Sequence, residues 1–194
     1  MQIAEIIDPS MTRRDARAAL KRAGWTFVGG GSFATVYASP DETVVAKVTK
    51  PDAGAAALYK IAQKHPDNPH FPRYQGRIKL GSRGYVYEVE RLTPWYDYDD
   101  YDEAEAAADD LPSFEEAHEL IRAAIRCSRT TSRRKPLDED FGFSNAMRRG
   151  STFVFTDPLF AEEDLSRSYR GRGASNPDNS GYGEDPDDPL LLAA

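Results

Sequence analysis

Leu137–Leu159 reads LDEDFGFSNAMRRGSTFVFTDPL. Asp140 and Asn145 form a D-x-x-x-x-N pattern, and apolar Ala146 and Met147 follow it. Arg148-Arg149-Gly150-Ser151 has the composition of a turn, and Thr152-Phe153-Val154-Phe155 that of a short strand leading to Asp157. The spacing predicts a two-stranded hairpin, with Asn145 where one strand begins and Asp157 where the other ends. Phosphoryl transfer from ATP needs these parts: a carboxylate to take the proton of the attacking hydroxyl, and an Asn and an Asp to hold magnesium ions.

Upstream, Trp25–Tyr37 (WTFVGGGSFATVY) sets Gly29-Gly30-Gly31-Ser32-Phe33 between two β-prone segments, Trp25–Val28 and Ala34–Ala38. Backbone without side chains can approach phosphates closely and aim several N–H groups at them, although a glycine run alone also describes an ordinary hairpin. Beyond a turn at Ser39–Thr43, Val44-Val45-Ala46-Lys47-Val48 reads as a strand in which Lys47 is an isolated cation. A strand lysine is by default a solvated edge residue, but one that follows V-A after a glycine hairpin can reach the α- and β-phosphates. Ala53–Lys64 has helical composition, with Asp52 as a candidate N-cap. His65–Pro72 is a proline-punctuated loop whose histidines, His65 and His70, read as packing residues rather than metal ligands. Arg73–Leu80 and Tyr85–Arg91 bring the expectation to five strands, with one helix after the third.

The flanking segments are less informative. Residues before Gly24 predict a short helix capped by Thr12 or Asp8, with Ala16, Ala19, Leu20 and Ala23 as its apolar side. Asp97–Asp110 carries eight acids and reads as a solvated acidic loop running into a helix start. Ser113-Phe114-Glu115-Glu116 has the capping-box pattern of a long helix. Ala117, Leu120, Ile121, Ala124 and Ile125 are its expected buried face. Beside that face, Arg122, Arg126, Arg129 and Arg133 form a stripe expected to be solvated or to pair with the acidic stretch. His118 reads as a helix-surface residue and Cys127 as a packed thiol. From Ala161 the chain is rich in Gly, Pro, Ser and Asp, and a disordered acidic tail is expected over residues 171–194.

Composition narrows the function classes. A net charge of −7 argues against non-specific nucleic-acid binding by the whole surface. A single cysteine, with only three histidines, excludes an internal disulfide and argues against a structural zinc site. With no apolar run of spanning length and no signal-peptide pattern, these features predict a cytoplasmic protein without a membrane partner.

The ordered set of glycine hairpin, V-A-K strand, helix, strands, linker, helix, D-x-x-x-x-N, hairpin and Asp resembles the eukaryotic-type protein kinases over roughly residues 25 to 160. In particular it is similar to the small serine/threonine kinases of T7-like bacteriophages. The resemblance implies an α+β, minimal two-lobed kinase-like fold, with a five-stranded antiparallel N-lobe sheet, one helix and a reduced helical C-lobe. It divides the chain into a helical extension (1–24), an N-lobe (25–92), a reduced C-lobe (93–170) and the tail. It makes Asp140 the catalytic base, Lys47 the phosphate-binding lysine, and Asn145 and Asp157 the Mg2+ ligands. Gly29, Gly30, Gly31, Ser32, Phe33, Val36 and Ala46 would line the ATP, and the main chain at Glu90 and Leu92 would meet the base. Implied partners are bacterial host proteins, phosphorylated in the host cytoplasm during takeover, and the chain itself at arginine-flanked Ser128, Thr130, Thr131, Ser132, Ser166 and Ser168.

The chain departs from the kinase pattern at several points. Asp138-Glu139 replaces the usual His-Arg, Gly142 stands where a Lys is customary, and the metal motif is Asp157-Pro158-Leu159, a form also met in antibiotic kinases. Ala53–Lys64 contains no acid to partner Lys47, with Asp52 just before it. Two rival readings follow: a kinase-fold binding protein that inhibits a host factor, and a small-molecule phosphotransferase.

Overall fold

The computed structural model describes residues 2–81, 84–130 and 136–161. The expected tail, and Arg133, Thr131, Ser132, Ser166 and Ser168, lie outside the described residues. The chain divides into two units, one formed by residues 2–51 with 75–91 and the other by 52–74 with 92–161.

The first unit begins with a 3-10 turn at Ile3–Glu5 and helix α1 (Arg13–Arg22). Thr12 caps α1 in a reciprocal box: its hydroxyl accepts from the Asp15 N–H at 3.2 Å, and the Asp15 carboxylate accepts from the Thr12 N–H at 3.1 Å. Strands β1 (Thr26–Gly30), β2 (Ala34–Ala38) and β3 (Val44–Thr49) follow. Helix α2 (Ala53–Lys64) interrupts the sheet in sequence, and β4 (Tyr74–Leu80) and β5 (Gly84–Glu90) complete it. The five-stranded antiparallel sheet has the order β1-β2-β3-β5-β4. One sheet face and α1 enclose a core of Ile3, Leu20, Trp25, Tyr37, Val48 and Val86, so the segment before Trp25 is built into this core. Glu88 is buried here and accepts a hydrogen bond from the Ile3 N–H at 3.2 Å. Burial pushes its pKa above the ordinary carboxylate range.

The second unit contains α2, β6 (Thr93–Pro94), α3 (Tyr98–Asp109), α4 (Pro112–Thr130), β7 (Asp138–Glu139), β8 (Ala146–Arg149), β9 (Thr152–Phe155) and β10 (Leu159–Phe160). Strands β6, β8 and β9 form one small sheet, and β7 pairs with β10 in another. Asp52 caps α2 by accepting from the Ala55 N–H at 3.0 Å. Leu58 and Ile61 of α2 share a core with Phe114, Ile121, Phe153 and Phe155. Among the described residues no helix is long and apolar enough to cross a membrane.

Several sequence expectations are corrected in this unit. The acidic stretch expected as a loop is mostly the helix α3, because Asp97 caps it through the Asp100 N–H at 2.8 Å. Asp99 and Asp100 also favour the positive end of its dipole, and Tyr101 and Ala108 anchor it in the core. Ser113 is not a cap: α4 starts at Pro112, and the Ser113 hydroxyl lies 3.1 Å from Nε2 of His70. Among the described residues the α4 arginines are exposed, as the solvated reading had it, and they pair with Glu119 and Asp138 rather than with α3. Arg122 binds Glu119 at 3.0 Å, Arg126 reaches Glu119 at 3.5 Å, and Arg129 meets Asp138 at 3.3 Å. Cys127 is exposed rather than packed. His118 is half-buried, with its ring against Phe114, Phe141 and Phe155.

Candidate functional site

In the first unit the glycine run straddles a strand and a turn. Gly29 and Gly30 belong to β1, opposite Val36 and Thr35 of β2, and a register shift lies between Phe27 and Gly29. Gly31, Ser32 and Phe33 make the turn, closed by a hydrogen bond from the Gly31 N–H to the Ala34 carbonyl at 2.9 Å. Among the described residues, a Cβ added at Gly29 or Gly31 would meet no atom within 4 Å, and neither glycine has a positive φ. Neither packing nor backbone conformation therefore demands glycine at these two positions. A bare backbone there leaves space for something other than protein.

Lys47 is half-buried near the middle of β3, where it pairs with Val36 on one side and Tyr87 on the other. Because side chains alternate across a sheet, Val36, Val45 and Lys47 share one face. Ala46 faces the opposite way, fully buried with Tyr37, Val44 and Val48 in the α1 core. The expectation that Ala46 lines the same ligand as Lys47 is corrected by this period of two: Val45 occupies the corresponding place. Glu90 ends β5 opposite Val44, while Leu92, half-buried, belongs to the second unit.

In the second unit the hairpin β8–β9 pairs Ala146 with Phe155 and Arg149 with Thr152, with Gly150 at φ 61° in the turn. The expected turn began at Arg148, but both arginines lie within β8. Asn145 sits at the foot of this hairpin and joins three segments. Its Nδ2 donates to the Asp140 carbonyl at 3.0 Å, and its own carbonyl accepts from the Thr156 and Asp157 N–H groups at 2.8 and 3.1 Å. The Asp140 N–H in turn donates to the Pro158 carbonyl at 2.9 Å, beside the β7–β10 pairing of Glu139 with Leu159. Asp140, Asn145 and Asp157 are thus tied into one backbone framework. Using Nδ2 for this bond leaves Oδ1 as the side-chain atom of Asn145 able to ligand a cation. Asp140 is exposed, whereas Asn145 and Asp157 are half-buried.

Residues outside the predicted site set pack against this framework. Phe141, next to Asp140, packs edge-on against His118 with ring centroids 4.7 Å apart and lies 5.5 Å from Phe155. Phe143, two residues before Asn145, stacks on Tyr98 at 4.3 Å and lies 5.5 Å from Tyr101. Each such aromatic pair is worth about 0.5–1.5 kcal/mol beyond its buried area, enough to limit motion of the short loop they pin. Burial, and secondarily the charge of Arg122, lowers the pKa of His118. His70 holds the other end, with Nδ1 2.8 Å from the Phe153 carbonyl and its main-chain carbonyl accepting from the Phe155 N–H at 3.0 Å. The Arg149 guanidinium donates to the carbonyls of Pro69 and Phe71 at 2.8 and 3.0 Å, fastening the hairpin to the same loop. Gly54 is a further position missed in the sequence: a Cβ there would collide with the Leu159 carbonyl group. The alternating aromatics at 141 and 143 were the one available signal for this support. Nothing in the helical composition of Ala53–Lys64 singles out Gly54.

No protein-family model and no curated protein sequence matches this chain. Among solved structures it is similar to the aminoglycoside phosphotransferase APH(3'')-Id from Streptomyces rimosus, at 16% identity and a TM-score of 0.38, over 77% of this chain and 78% of that one. At that score the likeness assigns neither a family nor an activity.

Proposed function

We propose that the chain is a magnesium-dependent phosphotransferase that moves the γ-phosphoryl group of ATP to serine or threonine hydroxyls of proteins, its own included. The observation that carries the reading is the bonding of Asn145, which ties Asp140 and Asp157 to one residue. A bland hairpin needs no such junction of two carboxylate-bearing segments. The donor chemistry also fits: magnesium takes a few hard protein oxygens and completes its shell with phosphate oxygens and water. Asn145 Oδ1 and the Asp157 carboxylate would be those protein ligands. When bound, the metal would neutralise charge on the phosphates.

The remaining roles follow from this chain's own residues. Lys47 and the main-chain N–H groups of Gly29–Phe33 would hold the phosphates, with Val36 and Val45 on the Lys47 face as apolar lining. The main chain at Glu90 and Leu92 would bond the base. Asp140, exposed and so reachable by a polypeptide, would orient the acceptor hydroxyl and take its proton. Host proteins of a bacterial cytoplasm are the acceptors that the phage-kinase resemblance suggests.

The test is intact-mass spectrometry of the full chain with and without magnesium ATP, alongside Asp140→Asn and a generic basic protein acceptor. Phosphate added stepwise in the wild type alone supports the reading. Absence of added mass on either protein refutes it and leaves the kinase-shaped binding protein.

A further inference from the structure

The start of α3 presents the most exposed aromatic side chains among the described residues, Tyr96 and Tyr98, at 73% and 68%. Asp97 between them is extended, at φ −140° and ψ 163°, which turns both rings to the same side while its carboxylate caps α3. Tyr98 stacks on Phe143, with ring centroids 4.3 Å apart, and Phe143 belongs to the loop between Asp140 and Asn145. The exposed rings therefore begin beside the loop that carries the candidate base. Asp99, Asp100, Asp102 and Glu103 are exposed around them. Among the described residues none of these four carboxylates forms an ion pair. Asp102, four residues beyond Tyr98, lies one helical turn along the same face.

Ring surface left in water and carboxylates without a counter-charge suit one chemical group on a partner. A guanidinium lies flat on an aromatic ring while its N–H groups bond carboxylates. The fold makes the first of these contacts itself, with Arg148 5.6 Å from the Trp95 ring centroid and Arg77 5.2 Å from that of Tyr85. We propose that Tyr96, Tyr98 and the acids of the first turns of α3 dock arginines of a polypeptide, so that the serine or threonine presented to Asp140 is an arginine-flanked one. The acceptor role rests on the phosphotransfer reading, whereas the docking itself does not. The chain contains a segment of this chemistry: residues 128–135 read SRTTSRRK. In the folded chain Ser128 is buried, donates to the Ile125 carbonyl at 2.7 Å and accepts from the Leu137 N–H at 2.9 Å. This removes Ser128 from the self-modification sites expected from the sequence and keeps Thr130, which is exposed.

The experiment uses the full chain and two fluorophore-labelled peptides, SRTTSRRK and its glutamine version SQTTSQQQ. Anisotropy without nucleotide reads docking, and phosphate incorporation with magnesium ATP reads transfer. The basic peptide is expected to bind saturably and roughly tenfold more tightly than the glutamine version. Tyr96→Ser and Asp99→Asn/Asp102→Asn should each weaken its binding about three- to fivefold, while Tyr96→Phe binds like the wild type. These positions are exposed, so the variants leave the core untouched. Equal binding of the two peptides, including none, overturns the proposal, as do Tyr96→Ser and Asp99→Asn/Asp102→Asn proteins that bind the basic peptide as the wild type does. Docking without transfer supports the surface and refutes the phosphotransfer reading. Transfer to both peptides with the same KM supports phosphotransfer and overturns the surface.

Discussion

Gly54→Ala sets two well-calibrated effects against each other. Gly54 lies in the first turn of α2, where replacing glycine by alanine in an exposed helix would gain about 1 kcal/mol. Here the new methyl group has no room. It would collide with the Leu159 carbonyl oxygen, lie 2.6 Å from the carbonyl carbon and stand 3.2 Å from the Phe160 nitrogen. These are backbone atoms of β10, fixed by pairing with β7, and cannot rotate away as a side-chain end would. Overpacking typically costs about 1–3 kcal/mol and sometimes more, and a backbone obstacle belongs at the upper end of that range. The expected net loss is therefore about 2 kcal/mol, once the propensity gain is subtracted. Urea unfolding of the full chain, followed by circular dichroism, reads this as a lower midpoint at unchanged slope. Displacement of Leu159 also moves Pro158, whose carbonyl holds Asp140, so phosphotransfer should fall by more than the stability loss explains. A stabilised Gly54→Ala protein would refute the close approach of α2 and β10.

Gly29→Ala and Gly31→Ala test the opposite case: stability should change by less than about 1 kcal/mol, since each Cβ has open space, while ATP affinity measured by calorimetry drops at least tenfold. Asn145→Ala should lower stability by about 1 kcal/mol through loss of its bond to Asp140, and lower phosphate incorporation at least a hundredfold. Asn145→Asp keeps an oxygen ligand but loses the N–H donor, and should fall between that variant and the wild type when magnesium is titrated. For pH, His118 and His70 both have folded pKa values below the ordinary 6.5, first because of burial. The unfolded chain then binds more protons in that window, so their contribution to stability is fully present above pH 6.5 and lost as pH falls toward the folded values. Around His118, Arg122 reinforces the shift and Glu115, Asp109 and Glu139 oppose it. His118→Leu should flatten the fall of the urea midpoint below pH 6.5, and an unaltered profile would show that His118 titrates as if exposed.

Local rules made the sheet and the hairpin legible. Val44–Val48 alternates, Thr12 and Asp52 are good caps, and Gly150 sits where a left-handed turn residue is wanted. What local rules missed depended on distant neighbours. The acids of α3 suggested a loop because like charges weaken an isolated helix, and the Asp97 cap together with the burial of Tyr101 and Ala108 offsets that repulsion. His118 looked like a surface residue until Phe141 and Phe155, far away in sequence, covered it. Ala46 was misassigned for a simpler reason, as the strand period already placed Val45 with Lys47. In the candidate site the spacing of Asp140, Asn145 and Asp157 was visible, but the bond that ties the first two together was not.

The hairpin also separates the chemistry from a place where the chain can be cut and extended. Four residue pairs stand between Asn145 at its foot and the exposed Gly150-Ser151 tip, a distance of roughly 13 Å at the usual rise of a strand. A reporter peptide spliced between Gly150 and Ser151 would leave every bond of the Asn145 junction, and the Arg149 clamp, in place. The protein thus offers an attachment point on the very element that carries its candidate site, from which label distances to bound molecules could be measured.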